Sequence, residues 1–458
     1  MILQSFLVYL PAWIAGFGAA HLLWKDDRPA ALLLKASAGI GLGLGITSCL
    51  YFLRLLLFPG QGGYVLIQFL LLIVVLFALF LQKRIFIPVS LKSFRPTWIG
   101  VALGFAVILV GIIALYYSIT FARLTPHGDY DAQAIWNLRA RSIYRYGDSW
   151  ANAFSPLINR NFHMDYPILI PMSVVGSWNT LGGEVLRVPA MVSMLFLVGM
   201  AGMLYSVIAY LRSSSQAAIA TIVLLSTPGL LLFSTFQTAD IPLTYFFLAS
   251  ASLFVVAGSE NNRNLFFLSG IMAGFAGWTK NEGIPFLLLM VLFTAIAFGL
   301  RQFRVYIFSL LSGMAFPLLI IFLFKTLISI DNDLFTNNAL AEMIGKILDP
   351  TRYLQILTHL TRELFHVGNW PISILATLMV YGWIVGLRKP NNLTEKTLWF
   401  VPLSQLVVYL FIYVVTPHDL QWHLNYSISR LLIHLFPLTL LSFFLSVNIP
   451  ETILNKVK

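Results

Sequence analysis

Two aspartates, Asp129 and Asp131, stand two positions apart in the stretch TPHGDYDAQAIWNLRARSIYRYGDSW, residues 125–150, of a chain in which only 10% of residues are charged. Carboxylates this close on one short segment suit two chemistries. Together they can hold a hard divalent cation over a diphosphate; singly, one of them can take a proton from an attacking nucleophile. The same stretch adds His127, Arg139, Arg141, Arg145 and Asp148. More acids and bases follow in short polar segments: His163 and Asp165 in NFHMDYP, Asp240 in QTADIP, Lys280 and Glu282 in WTKNEG, and Arg430 at the end of PHDLQWHLNYSISR. Towards a phosphate, Arg presents a bidentate fork and Lys a point charge.

Each of these residues also has a purely architectural explanation. Asp129 and Asp131 suit the start of an amphipathic helix, with either Ala134, Leu138 and Tyr144 or Ile135 and Trp136 on lipid and Arg139, Arg141 and Arg145 at headgroups. Asp240, two positions before Pro242, suits a helix cap. Lys280 and Glu282 suit an ion pair at a helix end, and Arg430 suits snorkelling at the opening of an apolar run. Trp136, Tyr166, Trp278 and Trp422, near the outer boundary, fit the same chemistry and also suit an interfacial aromatic belt.

The elements that must position these residues are membrane-spanning. Hydrophobic residues make up 59% of 458, the mean hydropathy is +0.83, and runs near the ~20 residues that cross a bilayer recur. They fall near 2–23, 30–57, 64–82, 98–121, 188–210, 216–233, 242–257, 265–278, 284–299, 305–328, 371–387, 397–416 and 431–447. The expected fold is an all-α polytopic membrane bundle of about 13 transmembrane helices with amphipathic helices on the outer face. Threading the runs alternately gathers Lys25, Arg28, Lys83 to Arg95, Arg212, Arg263, Arg301, Arg304, Arg388, Lys389, Lys456 and Lys458 on one side, which the positive-inside rule makes cytoplasmic. Residues 166–183 are apolar too, but Pro167, Pro171 and the glycines favour an interfacial or re-entrant piece. The polar segments above, with SIDNDLF at 329–335, then share the outer face. The formal net charge of +11 is explained by orienting loops, so nucleic acid is not an expected partner. The single cysteine, Cys49, excludes an intrachain disulfide framework.

GDYDAQAIWNLRARSIYRYGDSW, MDYPILIP, QTADIPLTYFFLA and AGFAGWTKNEGIPFLLL, in this order, resemble the GT-C class of polytopic glycosyltransferases, in particular a bacterial branch of protein O-mannosyltransferase-like and aminoarabinose-transferase-like enzymes. The resemblance covers roughly residues 98–300. It implies a GT-C-type bundle in the bacterial inner membrane that moves a hexose or pentose from a polyprenyl-phosphate donor to a lipid, glycan or protein acceptor at the outer, periplasmic face, with inversion. Asp131 is the implied base and Asp129 the possible partner acid, since the family's Asp-Glu pair is Asp131-Ala132 here. Lys280 and Arg430, with His163 and Asp165 where the family has a lysine, are implied at the donor phosphate; Asp240 and Glu282 complete that pocket. A divalent metal is compatible with Asp129 and Asp131, although Lys and Arg alone can handle a monophosphate donor, and no other cofactor is indicated.

The chemistry supports a lipid donor independently of the resemblance. No glycine-rich nucleotide loop follows a strand pattern, whereas apolar grooves for a prenyl chain are abundant. Residues 1–97 read as an N-terminal three-helix segment, 98–300 as a catalytic core with outer loop 122–187, and 301–458 as a C-terminal region with outer loop 329–370. Two other classes fit a polytopic chain: a transporter or flippase of a lipid-linked substrate, with ionisable groups in mid-span, and a non-catalytic assembly subunit. Arg54 and Lys325 are the main charges inside runs, both near outer ends.

Overall fold

A computed structural model of the chain describes residues 2–58, 60, 62–85, 98–155, 157, 163–328 and 340–454. The SIDNDLF segment, the basic residues between 86 and 97, and Lys456 and Lys458 lie outside the described residues. Among the described residues the regular structure is helical, apart from one antiparallel bridge between Leu387 and Val447.

All thirteen apolar runs form helix, because a chain with no water to bond must satisfy its backbone within each segment. Nine helices among the described residues are long and apolar enough to cross a membrane: Gln4–Leu23, Pro29–Leu57, Tyr64–Leu81, Trp98–Leu124, Arg187–Leu211, Asp240–Glu260, Arg304–Leu327, Leu393–Val415 and Leu420–Ser446. Two bent pairs raise the number to 11 if each is one span: Ser214–Leu225 with Pro228–Thr235, bent by 61°, and Pro350–Asn369 with Ile374–Val385, bent by 78°. Pro228 explains the first bend, since it opens the second helix of its pair and cannot donate to the preceding turn. The remaining runs become Arg263–Thr279 and Gly283–Phe298, which are shorter.

Burial sorts these helices into layers. Every residue from Asp240 to Ala257 is buried, so the Asp240–Glu260 helix is the centre of the bundle. In Trp98–Leu124 only Ala114 and Ser118 are buried, and that helix turns large apolar side chains outward. Arg263–Thr279 packs on Arg304–Leu327 through small residues. A Cβ at Gly270 would lie 2.0 Å from the Leu310 carbonyl oxygen, and one at Gly313 would lie 2.0 Å from that of Phe267.

Two outer segments are more enclosed by protein than their sequences suggest. Residues 166–183, expected as an interfacial or re-entrant piece, hold the helix Leu169–Leu181, which the protein buries from Leu169 to Trp178. It packs against Pro29–Leu57, Arg187–Leu211 and the Asn137–Tyr146 helix, which gives its apolar surface protein rather than headgroups to cover it. The amphipathic helix also faces inward more than expected. Ile135 and Trp136, one of the two expected lipid faces, are buried, as are Ala140 and Ile143, while Ala134, Leu138 and Tyr144 of the other face are partly buried. Arg139 is buried too, with its guanidinium 4.6 Å from the Phe154 ring centre and its Nη2 donating to Met164 Sδ at 2.8 Å. Arg141 and Arg145 do stay near the surface, where both pair with Glu184.

Candidate active site

The helices bring their polar ends together where Trp98–Leu124 stops and Asp240–Glu260 begins. Two short segments interlock there. Asn137 Nδ2 donates to Gln237 Oε1 at 2.9 Å and to the His127 carbonyl at 3.1 Å, while Gln237 Nε2 donates to the Thr125 and Pro126 carbonyls, each at 3.3 Å. The Asp129 amide donates to the Phe236 carbonyl at 3.2 Å. Gly128 makes the close approach possible. Its φ is +76°, and a Cβ there would lie 2.7 Å from the Phe236 oxygen. The loop before Asp131 is thereby fixed to the segment before Asp240.

Asp240 is the hub. It is the first residue of its helix rather than the cap, which is Ala239, and its buried carboxylate turns into the bundle. Oδ2 accepts from Thr238 Oγ1 at 2.7 Å; Oδ1 accepts from Lys280 Nζ at 3.0 Å and from His434 Nε2 at 2.8 Å. With Nε2 donating, His434 Nδ1 is the acceptor for the Tyr409 hydroxyl at 3.4 Å. Arg430 Nε lies 3.9 Å from Asp240 Oδ2, and Arg430 Nη1 donates to Asp131 Oδ2. Asp131, Arg430, Asp240, Lys280 and Glu282 therefore form one continuous run of alternating charge. Arg430 does not open the last span; it lies within Leu420–Ser446, where its side chain pairs inward instead of snorkelling to an interface.

Lys280 sits in the turn between Arg263–Thr279 and Gly283–Phe298. The Gly283 amide donates to the Lys280 carbonyl at 2.9 Å, and a Cβ on Gly283 would lie 2.1 Å from the Ala276 carbonyl, so the turn closes only around glycine. Lys280 and Glu282 do pair, at 2.8 Å, but Asp240 holds the same ammonium. Burial opposes the charge on Lys280, yet Asp240 and Glu282 outweigh it and raise its pKa above the ordinary lysine value. Burial likewise opposes ionisation of Glu282, and Lys280 reverses the balance, lowering its pKa below the ordinary value. Glu282 Oε2 is buried with no hydrogen-bond partner among the described residues.

The expected residues divide into three groups. Asp131, Asp240, Lys280, Glu282 and Arg430 come together. Asp165 lies alongside, tied to the architecture: Asn281 Nδ2 donates to its Oδ2 at 2.6 Å, Lys325 Nζ lies 3.5 Å from the same oxygen, and Lys325 also donates to Asn281 Oδ1 at 3.0 Å. His163 stacks on Tyr166 at 4.8 Å between ring centres, and Lys280 Nζ lies 5.9 Å from that same ring's centre. Asp129 stands apart, with an exposed side chain. The two acids of the triplet thus go to different surroundings, and among the described residues no group of three or more His, Cys, Asp or Glu gathers as a metal site.

Some members escaped the sequence reading. His434 looked like part of an apolar run, although its spacing of four from Arg430 places both on one helix face. Thr238, Tyr409 and Asn281 carried no signal beyond their neighbours. Of the four aromatics assigned to a belt, Trp136 and Trp278 are buried and Tyr166 is half-buried beneath His163; Trp422 remains exposed.

Residues 175–324 match the family model described as dolichyl-phosphate-mannose-protein mannosyltransferase. The matched stretch holds Asp240, Lys280 and Glu282, begins after Asp131 and ends before Arg430. With the membrane-spanning helices, the match supports a membrane glycosyltransferase of the GT-C class. No curated protein and no solved structure matches the chain.

Proposed function

We propose that this protein transfers a single sugar, a hexose or pentose, from a polyprenyl-phosphate donor to an acceptor hydroxyl at the outer face of a bacterial inner membrane, with inversion at the anomeric carbon. The observation that carries this reading is the placement of Asp131 against Arg430. A carboxylate that can take a proton meets a guanidinium that can hold a phosphate, and each is partly exposed at the end of the bundle where the polar segments meet.

In the proposed reaction the acceptor oxygen bonds to the anomeric carbon as the bond from that carbon to the phosphate oxygen breaks. The acceptor proton passes to Asp131. Arg430 and Lys280 stabilise the charge that develops on the departing phosphate, in positions set before the reaction begins. Arg430 has five donors and Lys280 three, so both keep N–H groups beyond those engaged by Asp131, Asp240 and Glu282. A donor phosphate that draws Arg430 towards itself frees Asp131 to act as base. Glu282 Oε2, without a donor among the described residues, accepts a hydroxyl of the transferred sugar. The charges cluster at one end of the spans, an arrangement that favours surface chemistry over passage through the bundle.

The test is transfer of radiolabelled sugar by membranes containing the protein, with polyprenyl-phosphate-linked mannose and aminoarabinose as donors. Label moving to a non-donor acceptor supports the proposal. Donor translocated intact, with no bond cleaved, would replace it with transport; no transfer and no translocation with either sugar would leave a non-catalytic role.

A further inference from the structure

One cavity shares no lining residue with the charged run. It has a volume of about 340 Å³ and lies between Gln4–Leu23, Pro29–Leu57, Trp98–Leu124 and Arg187–Leu211. Trp13, Leu44, Ile119 and Val198 are among its apolar walls. Among the described residues its charged lining residues are Arg123 and Arg187, at the ends of two helices on the same side as the site. Both are exposed, and neither has an ion pair or a hydrogen bond from its side chain among the described residues.

The depth of the groove points to its occupant. Along Arg187–Leu211 the lining runs from Arg187 to Val198, eleven steps or ~16 Å at the helical rise, about half of the ~30 Å hydrocarbon core. Groove and arginines together match one leaflet: an apolar slot below and two uncompensated cations at headgroup level. We propose that this groove seats a phospholipid of net negative charge from the leaflet at the site end, its phosphate between Arg123 and Arg187 and one chain along Ile119, Leu44 and Val198. A polyprenyl chain, longer than one leaflet is deep, fits this slot less well. The lipid site is independent of the transfer reaction proposed above.

Full-length protein purified in mild detergent and stripped of lipid is titrated with phosphatidylglycerol, phosphatidylethanolamine or polyprenyl phosphate, with occupancy read by native mass spectrometry and the unfolding midpoint by a thermal scan. The expected result is selective retention of phosphatidylglycerol and a raised midpoint. Arg123→Gln with Arg187→Gln lowers its occupancy about tenfold or more, as lost charge-assisted bonds to phosphate require. Val198→Trp, which fills the slot from an exposed wall position, lowers it without removing a charge. Equal retention of phosphatidylethanolamine, or unchanged occupancy in both folded variants, would overturn the proposal. So would displacement of phosphatidylglycerol by equimolar polyprenyl phosphate, which would give the groove to a prenyl lipid.

Discussion

Lys280 Nζ and Asp240 Oδ1 lie 3.0 Å apart although forty positions separate them in the chain. Both side chains are almost fully enclosed, so neither charge has water to fall back on. Removing one partner leaves the other buried with fewer partners, Thr238, His434 and the more distant Arg430 for Asp240 and Glu282 for Lys280. Lys280→Met is expected to destabilise the protein by about 3–5 kcal/mol, and Asp240→Asn with Lys280→Met by less than the sum of the single changes. Unfolding curves of the three variants in one detergent check this; strict additivity would show that the pair is not coupled.

The pH dependence of stability follows from the same turn. The pKa of Lys280 is raised above its ordinary 10.5, so its contribution is complete below pH 10.5 and is lost as pH rises through the raised value. The pKa of Glu282 is lowered below its ordinary 4.5, so its contribution is complete above pH 4.5 and is lost as pH falls through the lowered value. The expected profile is a plateau between these limits with an acid limb that weakens in Glu282→Gln. Thermal midpoints of wild type and variant across pH 3–8 are the measurement; identical acid limbs would reassign that limb to another group.

Asp131 and Asp129 should separate cleanly in activity. Asp131→Asn removes the proposed base and is expected to slow sugar transfer by ~10²–10⁴-fold with little change in melting temperature. Asp129→Asn alters an exposed side chain outside the run and should leave transfer within a few-fold of wild type. Parallel loss of activity in both variants would favour a shared role for the two acids.

Gly128→Ala tests whether the loop geometry matters. The substitution puts a side chain on a residue with φ of +76° and drives its Cβ against the Phe236 oxygen and the Ala132 Cβ. A cost of about 1–3 kcal/mol is expected from backbone strain, with transfer falling further than stability because the start of the Asp131 helix is displaced. Wild-type transfer by this variant would show that Asp131 does not depend on the Gly128 contact.

Pattern and placement were not equally legible in the chain. Helical runs were readable because each one satisfies its own backbone and has a length set by the bilayer. The polar segments were readable because charges are scarce here and therefore conspicuous. Inward or outward direction was not: Arg139 and Trp136 resemble interface residues until Phe154, Met164 and Tyr166 cover them. His434 was hidden for the opposite reason, being one polar residue in an apolar helix whose partner lies 194 positions away.

The sequence by itself determined a polytopic helical membrane protein and the polar segments from which its site is built, since hydropathy and charge are properties of each segment alone. Tertiary structure decided which acid joins the run of charges around Asp240. Arg430 meets Asp131 across 299 positions because Leu420–Ser446 packs against the central Asp240–Glu260 helix and the Gly128 loop is fixed to the segment before Asp240. Asp129, two residues away, is left facing outward. Neighbours in the chain are fixed by covalent geometry, but the partner of a buried charge is fixed only by which helices pack together.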